Sequence, residues 1–168
     1  GQARRERAAR PRRGRDAEAL VEISLEDAFH GTTRSIQLGE RRIEAKIPPG
    51  ARTGTRVRLS GQGSPGSNDG PAGDLYLVVQ VAPHPLFERD GDDLTTVVPV
   101  DLYTAATGGD VRVPTLGGTV RLKIPPRTQA DRTFRLKGKG MPRLERPSEY
   151  GNLFARVKLV LPEPLSDA

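Results

Sequence analysis

The sequence predicts an all-β chain, mainly strand with short helical turns, folded as two tandem small β-sandwiches or partial barrels. Three observations carry that prediction. Glycine supplies 19 and proline 15 of the 168 residues, a density of turn residues that suits many short strands and few long helices. Apolar residues recur at every second position in several stretches, the period of a strand with one buried face. The chain also repeats itself. "IPPGARTGTRVRLSGQGSPG" from Ile47 and "IPPRTQADRTFRLKGKGMPR" from Ile124 share eight of twenty positions at an offset of 77. "ISLEDAFHG" from Ile23 aligns with "VDLYTAATG" from Val100 at the same offset, and "GDLYLVVQV" from Gly73 aligns with "GNLFARVKL" from Gly151 one residue further out. These copies assign a flexible Arg-rich linker to 1–17, a first β-rich domain to 18–82, a connector to 83–93, a second β-rich domain to 94–162 and a tail to 163–168.

Along the chain, residues 1–15 hold seven arginines (Arg4, Arg5, Arg7, Arg10, Arg12, Arg13 and Arg15) against one glutamate. Residues 16–168 carry 20 basic and 20 acidic residues, so the net charge of +6 belongs to this tail. A block of this kind is expected to be solvated and flexible. Any nucleic-acid contact is expected to be weak and to fall on those arginines. The first strand is "ALVEISL", with Ala19, Val21 and Ile23 on one face. Ser24 is placed to N-cap a helical turn over Leu25–Phe29, with Asp27 in its first turn and Gly31 as its stop; Asp101 and Gly108 take those parts in the repeat. "RSIQL" sets Ile36 and Leu38 on one face, "RIEAKI" sets Ile43, Ala45 and Ile47, and "TRVRL" sets Val57 and Leu59. "DLYLVVQV" groups Leu75, Leu77, Val79 and Val81. In the second copy "TVRLKI" aligns Val120, Leu122 and Ile124. One-sided alternation of this kind predicts antiparallel sheets with one face in water.

"RLSGQGSPGSNDG" contains G-x-G-x-x-G at Gly61, Gly63 and Gly66, a spacing that can cradle a pyrophosphate when it opens a helix. Here Pro65 and "GSNDGP" follow where that helix would start, and the second copy has Arg143 in place of the third glycine. The glycine pairs kept in both copies are therefore expected to form turns of positive φ between strands, not a nucleotide site. Catalytic equipment is scarce. There is no cysteine, hence no disulfide or thiolate metal site, and the two histidines, His30 and His84, stand beside a helix stop and between prolines. "RDGDD" lacks the ligand spacing of a calcium loop. The expectation is no enzyme, no cofactor and no metal. No stretch is long and apolar enough to span a membrane and no signal peptide is visible; the cysteine-free composition fits the cytoplasm best. A chain that opens on Gly1 is expected to be an excised or processed piece.

"VEISLEDAFHGTTRSIQL", "IPPGARTGTRVRLSGQG", "GDLYLVV", "PHPLFERDGDDL", "VRVPTLGG" and "RLKGKGMP" together resemble the C-terminal region of DnaJ-type co-chaperones, across nearly all of residues 18–166. The resemblance implies two β-rich client-binding domains, the first with a shallow hydrophobic groove for unfolded polypeptide. Carried onto this chain, the groove falls at Ala19, Val21, Ile36, Leu38 and Leu77, flanked by Arg34. The Cys-rich zinc module of one subclass is missing, so the chain is similar to the zinc-free subclass, which includes the curved-DNA-binding relatives. The His-Pro-Asp signature of the J-domain is not found, and "EPLSDA" stands where relatives begin a dimerising helix, an element expected to be lost or reduced. The function this implies is capture of unfolded or misfolded clients for delivery to a DnaK-type chaperone, with a homodimer open to the full-length protein. The alternative is a nucleoid-associated DNA binder of the curved-DNA-binding type, against which the neutral body counts.

Overall fold

A computed structural model describes residues 10–162. The chain divides into two compact units, Gly1–Ala82 and Pro83–Ala168. The first contains β1 (Ala17–Ile23), α1 (Leu25–His30), β2 (Thr32–Leu38), β3 (Arg41–Ile47), β4 (Arg56–Leu59) and β5 (Leu75–Val81). The second contains β6 (Glu88–Asp90), β7 (Asp93–Asp101), α2 (Leu102–Thr107), β8 (Gly109–Thr115), β9 (Gly118–Ile124), β10 (Thr133–Leu136) and β11 (Leu153–Val160). The fold is mainly β, built from several small sheets with no closed barrel among the described residues. No described helix is long and apolar enough to cross a membrane.

Each unit has a small mixed sheet and a separate hairpin. In the first unit the strand order is β1-β5-β4, with β2-β3 as the hairpin; in the second it is β10-β11-β7-β6, with β8-β9. The hairpins are antiparallel, but β1 pairs with β5 in parallel, and β7 pairs with β11 in parallel. The antiparallel expectation is thus corrected for these two ladders. Alternation reports which face of a strand is wet and carries no information about the direction of its neighbour. Here a helical turn, a hairpin and β4 lie between β1 and β5, ample chain for the crossover that a parallel pair requires.

The helical turns are too short to stand alone and are fixed by their caps. In α1 the Asp27 N–H donates to Ser24 Oγ at 3.0 Å and the Ser24 N–H donates back to Asp27 Oδ2 at 3.4 Å, a capping box. Its Leu25 and Ala28 are buried. In α2 the Thr104 N–H donates to Asp101 Oδ1 at 2.7 Å and the Thr104 hydroxyl to Oδ2 at 2.9 Å. Gly31 and Gly108 follow the last helical residues.

The glycine motif turns out to be a clasp. Gly61 has φ of 71°, as its turn requires, but Gly63 does not share that conformation. A Cβ on Gly63 would stand 2.6 Å from the Asp74 carbonyl oxygen and 2.8 Å from that of Arg15. Gly63 is there for close backbone approach, and the expectation of positive φ for both glycines of the pair is corrected. No helix follows Gly66. Instead the loop from Gly61 to Asp74 folds over the segment that leads into β1. Arg12 and Ser67 exchange backbone hydrogen bonds at 2.9 and 3.0 Å, Gly14 N–H donates to Pro71 O at 2.8 Å, and Ser64 N–H donates to Arg15 O at 2.9 Å. Residues 12–16, which composition assigns to solvated linker, are held here by the first unit. The second unit repeats the device. Met141 N–H donates to Asp92 O at 2.7 Å, and a Cβ on Gly140 would come within 2.5 Å of that same oxygen.

Candidate peptide-binding site

Residues from two sheets that share no ladder converge on one apolar cluster in the first unit. Its centre is Ala45 of β3 with Leu75 and Leu77 of β5, all buried. Ala17, Ala19 and Val21 from β1, Ile36 and Leu38 from β2, and Val57 and Leu59 from β4 pack against it while keeping part of their surface exposed. Strand register explains the convergence. Ala19 lies opposite Leu77 and Val21 opposite Val79 across the β1–β5 ladder, and Leu77 is opposite Val57 on its other side. In the hairpin, Arg34, Ile36 and Leu38 alternate onto the face that also carries Ala45, the partner of Arg34. Of the six residues assigned to the groove, Ala19, Val21, Ile36 and Leu38 are thus half-buried against this cluster. Leu77 has no exposed surface and belongs to the centre of the cluster. Both β1 and β2 are edge strands among the described residues.

Arg34 stands on β2 in line with Ile36 and Leu38. Its Nη2 donates to Asp27 Oδ2 at 2.7 Å, so the cap of α1 also anchors the guanidinium. Its Nε is buried and has no hydrogen-bond partner among the described residues, leaving a donor beside the apolar walls.

Of the seven tail arginines, Arg10, Arg12, Arg13 and Arg15 are among the described residues. Arg4, Arg5 and Arg7 lie outside the described residues. Arg12 is tied through its backbone to Ser67, and Arg13 Nη2 lies 3.0 Å from Asp16 Oδ1 and 3.2 Å from Asp74 Oδ2. Asp74, which the sequence reading passes over, is the centre of the clasp. Its buried carboxylate accepts the Gly61 N–H at 2.9 Å and Arg58 Nε at 2.7 Å, while its own N–H donates to Asp16 Oδ1 at 2.8 Å. The Gly61 hydrogen bond, then Arg58 and Arg13, hold this carboxyl below the usual range against the opposing effect of burial. The side-chain hydrogen bond and the charge of Asp74 raise Arg58 in turn. The signal for this cluster was in the repeat: Asp16 aligns with Asp93, and Asp74 with Asn152. In the second unit the Asn152 N–H donates to Asp93 Oδ1 at 2.8 Å and Asn152 Oδ1 accepts the Gly138 N–H at 3.1 Å. Among the described residues no group of three or more His, Cys, Asp or Glu side chains could hold a metal ion.

Residues 17–162 match the family described as DnaJ C terminal domain. The chain is 45% identical to the chaperone protein DnaJ 2 of Thermus thermophilus, over 94% of this chain and 54% of that protein. It is 40% identical to the curved DNA-binding protein of Coxiella burnetii, over 92% of this chain and 53% of that protein. The chain therefore spans about half the length of these curated relatives. With the match covering the strands of both units, including the converging strands of the first, the chain belongs to the DnaJ C-terminal domain family.

Proposed function

We propose that the first unit captures extended apolar segments of unfolded polypeptide in the cleft between β1 and β2. Ala19, Val21, Ile36 and Leu38 serve as its walls, Leu77 as its floor and Arg34 as a hydrogen-bond donor at its side. The observation that supports this reading best is the half-burial of those four wall residues over one fully buried cluster, on two strands with unpaired edges. A client strand laid beside either edge finds backbone partners along the strand and apolar contacts on alternate side chains. Apolar burial is worth about 25 cal/mol per Å², so a shallow cleft gives weak, broad affinity that permits release. In the whole protein this capture serves delivery to a DnaK-type chaperone in the cytoplasm, with no catalysis by this chain.

Ile36→Ser tests the reading against a labelled apolar peptide and a thermal melt. The expected outcome is a severalfold loss of peptide binding, with destabilisation well below the ~2–5 kcal/mol of a full core truncation. Leu77→Ala, at the floor, is expected to show that full destabilisation. A melt as low for Ile36→Ser as for Leu77→Ala would move Ile36 into the core, and unchanged melting with unchanged binding would remove it from the site.

A further inference from the structure

We propose that the outward face of the β8–β9 hairpin in the second unit binds acidic segments of extended polypeptide, with Arg112 and Arg121 gripping their carboxylates. The two arginines are direct cross-strand partners, both are exposed, and together with Pro114 and Thr119 they line one surface cavity. Like charges placed opposite one another destabilise an antiparallel pair, and nothing in the fold demands this pair. The equivalent positions of the first unit hold Ser35 opposite Glu44. Among the described residues, the one ion pair recorded for these two arginines is with Asp110, whose carboxylate lies 4.0 Å from Arg121. No hydrogen bond or ion pair engages the Arg112 side chain among the described residues. Two guanidiniums brought together with so little neutralisation suit an anion that both can hold through charge-assisted hydrogen bonds.

The geometry favours a peptide over a nucleic acid. β8 and β9 form a two-stranded sheet with both outer edges unpaired among the described residues, and an added strand would present alternate side chains to the arginine face. Those side chains recur at roughly 7 Å intervals, so a carboxylate can meet the pair while a neutral residue passes Asp110. A phosphate backbone, charged at every step, would run its charges over that carboxylate.

The test is fluorescence anisotropy on the intact chain with a labelled peptide carrying Glu at every fourth residue and Thr elsewhere, so that same-face positions alternate Glu and Thr, against the same peptide with Gln for Glu and against duplex DNA, at low and raised salt. The Glu peptide is expected to bind in a salt-sensitive manner and the Gln peptide not to bind. Arg112→Ala or Arg121→Ala should each weaken binding by about tenfold, and Asp110→Asn should tighten it. Arg112→Glu supplies the fold control: it replaces a repulsive pair with an attractive one, so it should melt no lower than the parent and yet lose the peptide. Equal binding of the Glu and Gln peptides, or full binding by both alanine variants, would overturn the proposal. Duplex binding that is tighter than peptide binding and is lost in the same variants would overturn it in favour of a nucleic-acid surface.

Discussion

At the scale of the residue, Asp74 carries the clearest pH dependence in the first unit. Its folded-state pKa is depressed, first by the Gly61 N–H and then by Arg58 and Arg13. A depressed carboxyl contributes stability that is present above its unfolded value of ~4 and is lost as pH falls from there through the folded value. The first unit should therefore weaken below about pH 4, and Asp74→Asn should melt lower than the parent at neutral pH. The gap should narrow as pH falls below about 4, as read by thermal melts across pH; a gap independent of pH would remove the carboxylate as its cause. None of this was legible in "AGDLYL" alone, because the partners of Asp74 come from Arg13, Arg58 and Gly61, far apart in the chain. The caps at Ser24 and Asp101 were legible, because a cap and its helix are neighbours in sequence. The residues proposed for the groove were intermediate. Alternation placed Ile36 with Leu38 and Leu75 with Leu77, but it could not say that Leu77 lies wholly beneath the others, since depth is set by β1 and β4 flanking β5 on both sides.

At the scale of the element, the two clasps separate the two uses of glycine. Gly61 needs a positive φ and has open space around it, whereas Gly63 has an ordinary φ and no room for a Cβ. Asparagine tolerates the left-handed region better than alanine does, so Gly61→Asn should cost less stability than Gly61→Ala. At Gly63 the obstacle is backbone, and any side chain should cost about 1–3 kcal/mol as overpacking does, with asparagine no milder than alanine. Melting curves of the four variants check this, and a rescue by asparagine at Gly63 would contradict the steric account. The motif was visible in the sequence, and the missing third glycine of the second copy argued against a phosphate cradle. Which glycine served a turn and which a close approach was not visible, because that depends on Arg15 and Asp74 arriving against Gly63 from elsewhere.

At the scale of the whole molecule, both units run strand, helical turn, hairpin, short strand, clasp and final strand, and the 77-residue offset made that order readable in advance. The direction of the ladders was not readable, yet it has a mechanical consequence. The first long strand of each unit lies beside its last in parallel, over seven paired residues for β1 with β5 and eight for β7 with β11. Tension applied at Ala17 and Val81 pulls two parallel neighbours lengthwise in opposite directions, so every hydrogen bond of the ladder is loaded together. An antiparallel pair pulled from one end opens bond by bond like a zip. The first unit should thus resist stretching through its ends more strongly than peeling of β4 from β5, which is antiparallel. Single-molecule pulling between Ala17 and Val81, compared with pulling between Leu59 and Leu75, measures the difference, and equal rupture forces would show that the ladder direction does not govern it. Each unit thus has, in its one parallel seam, the bond arrangement that gives way last under a lengthwise load.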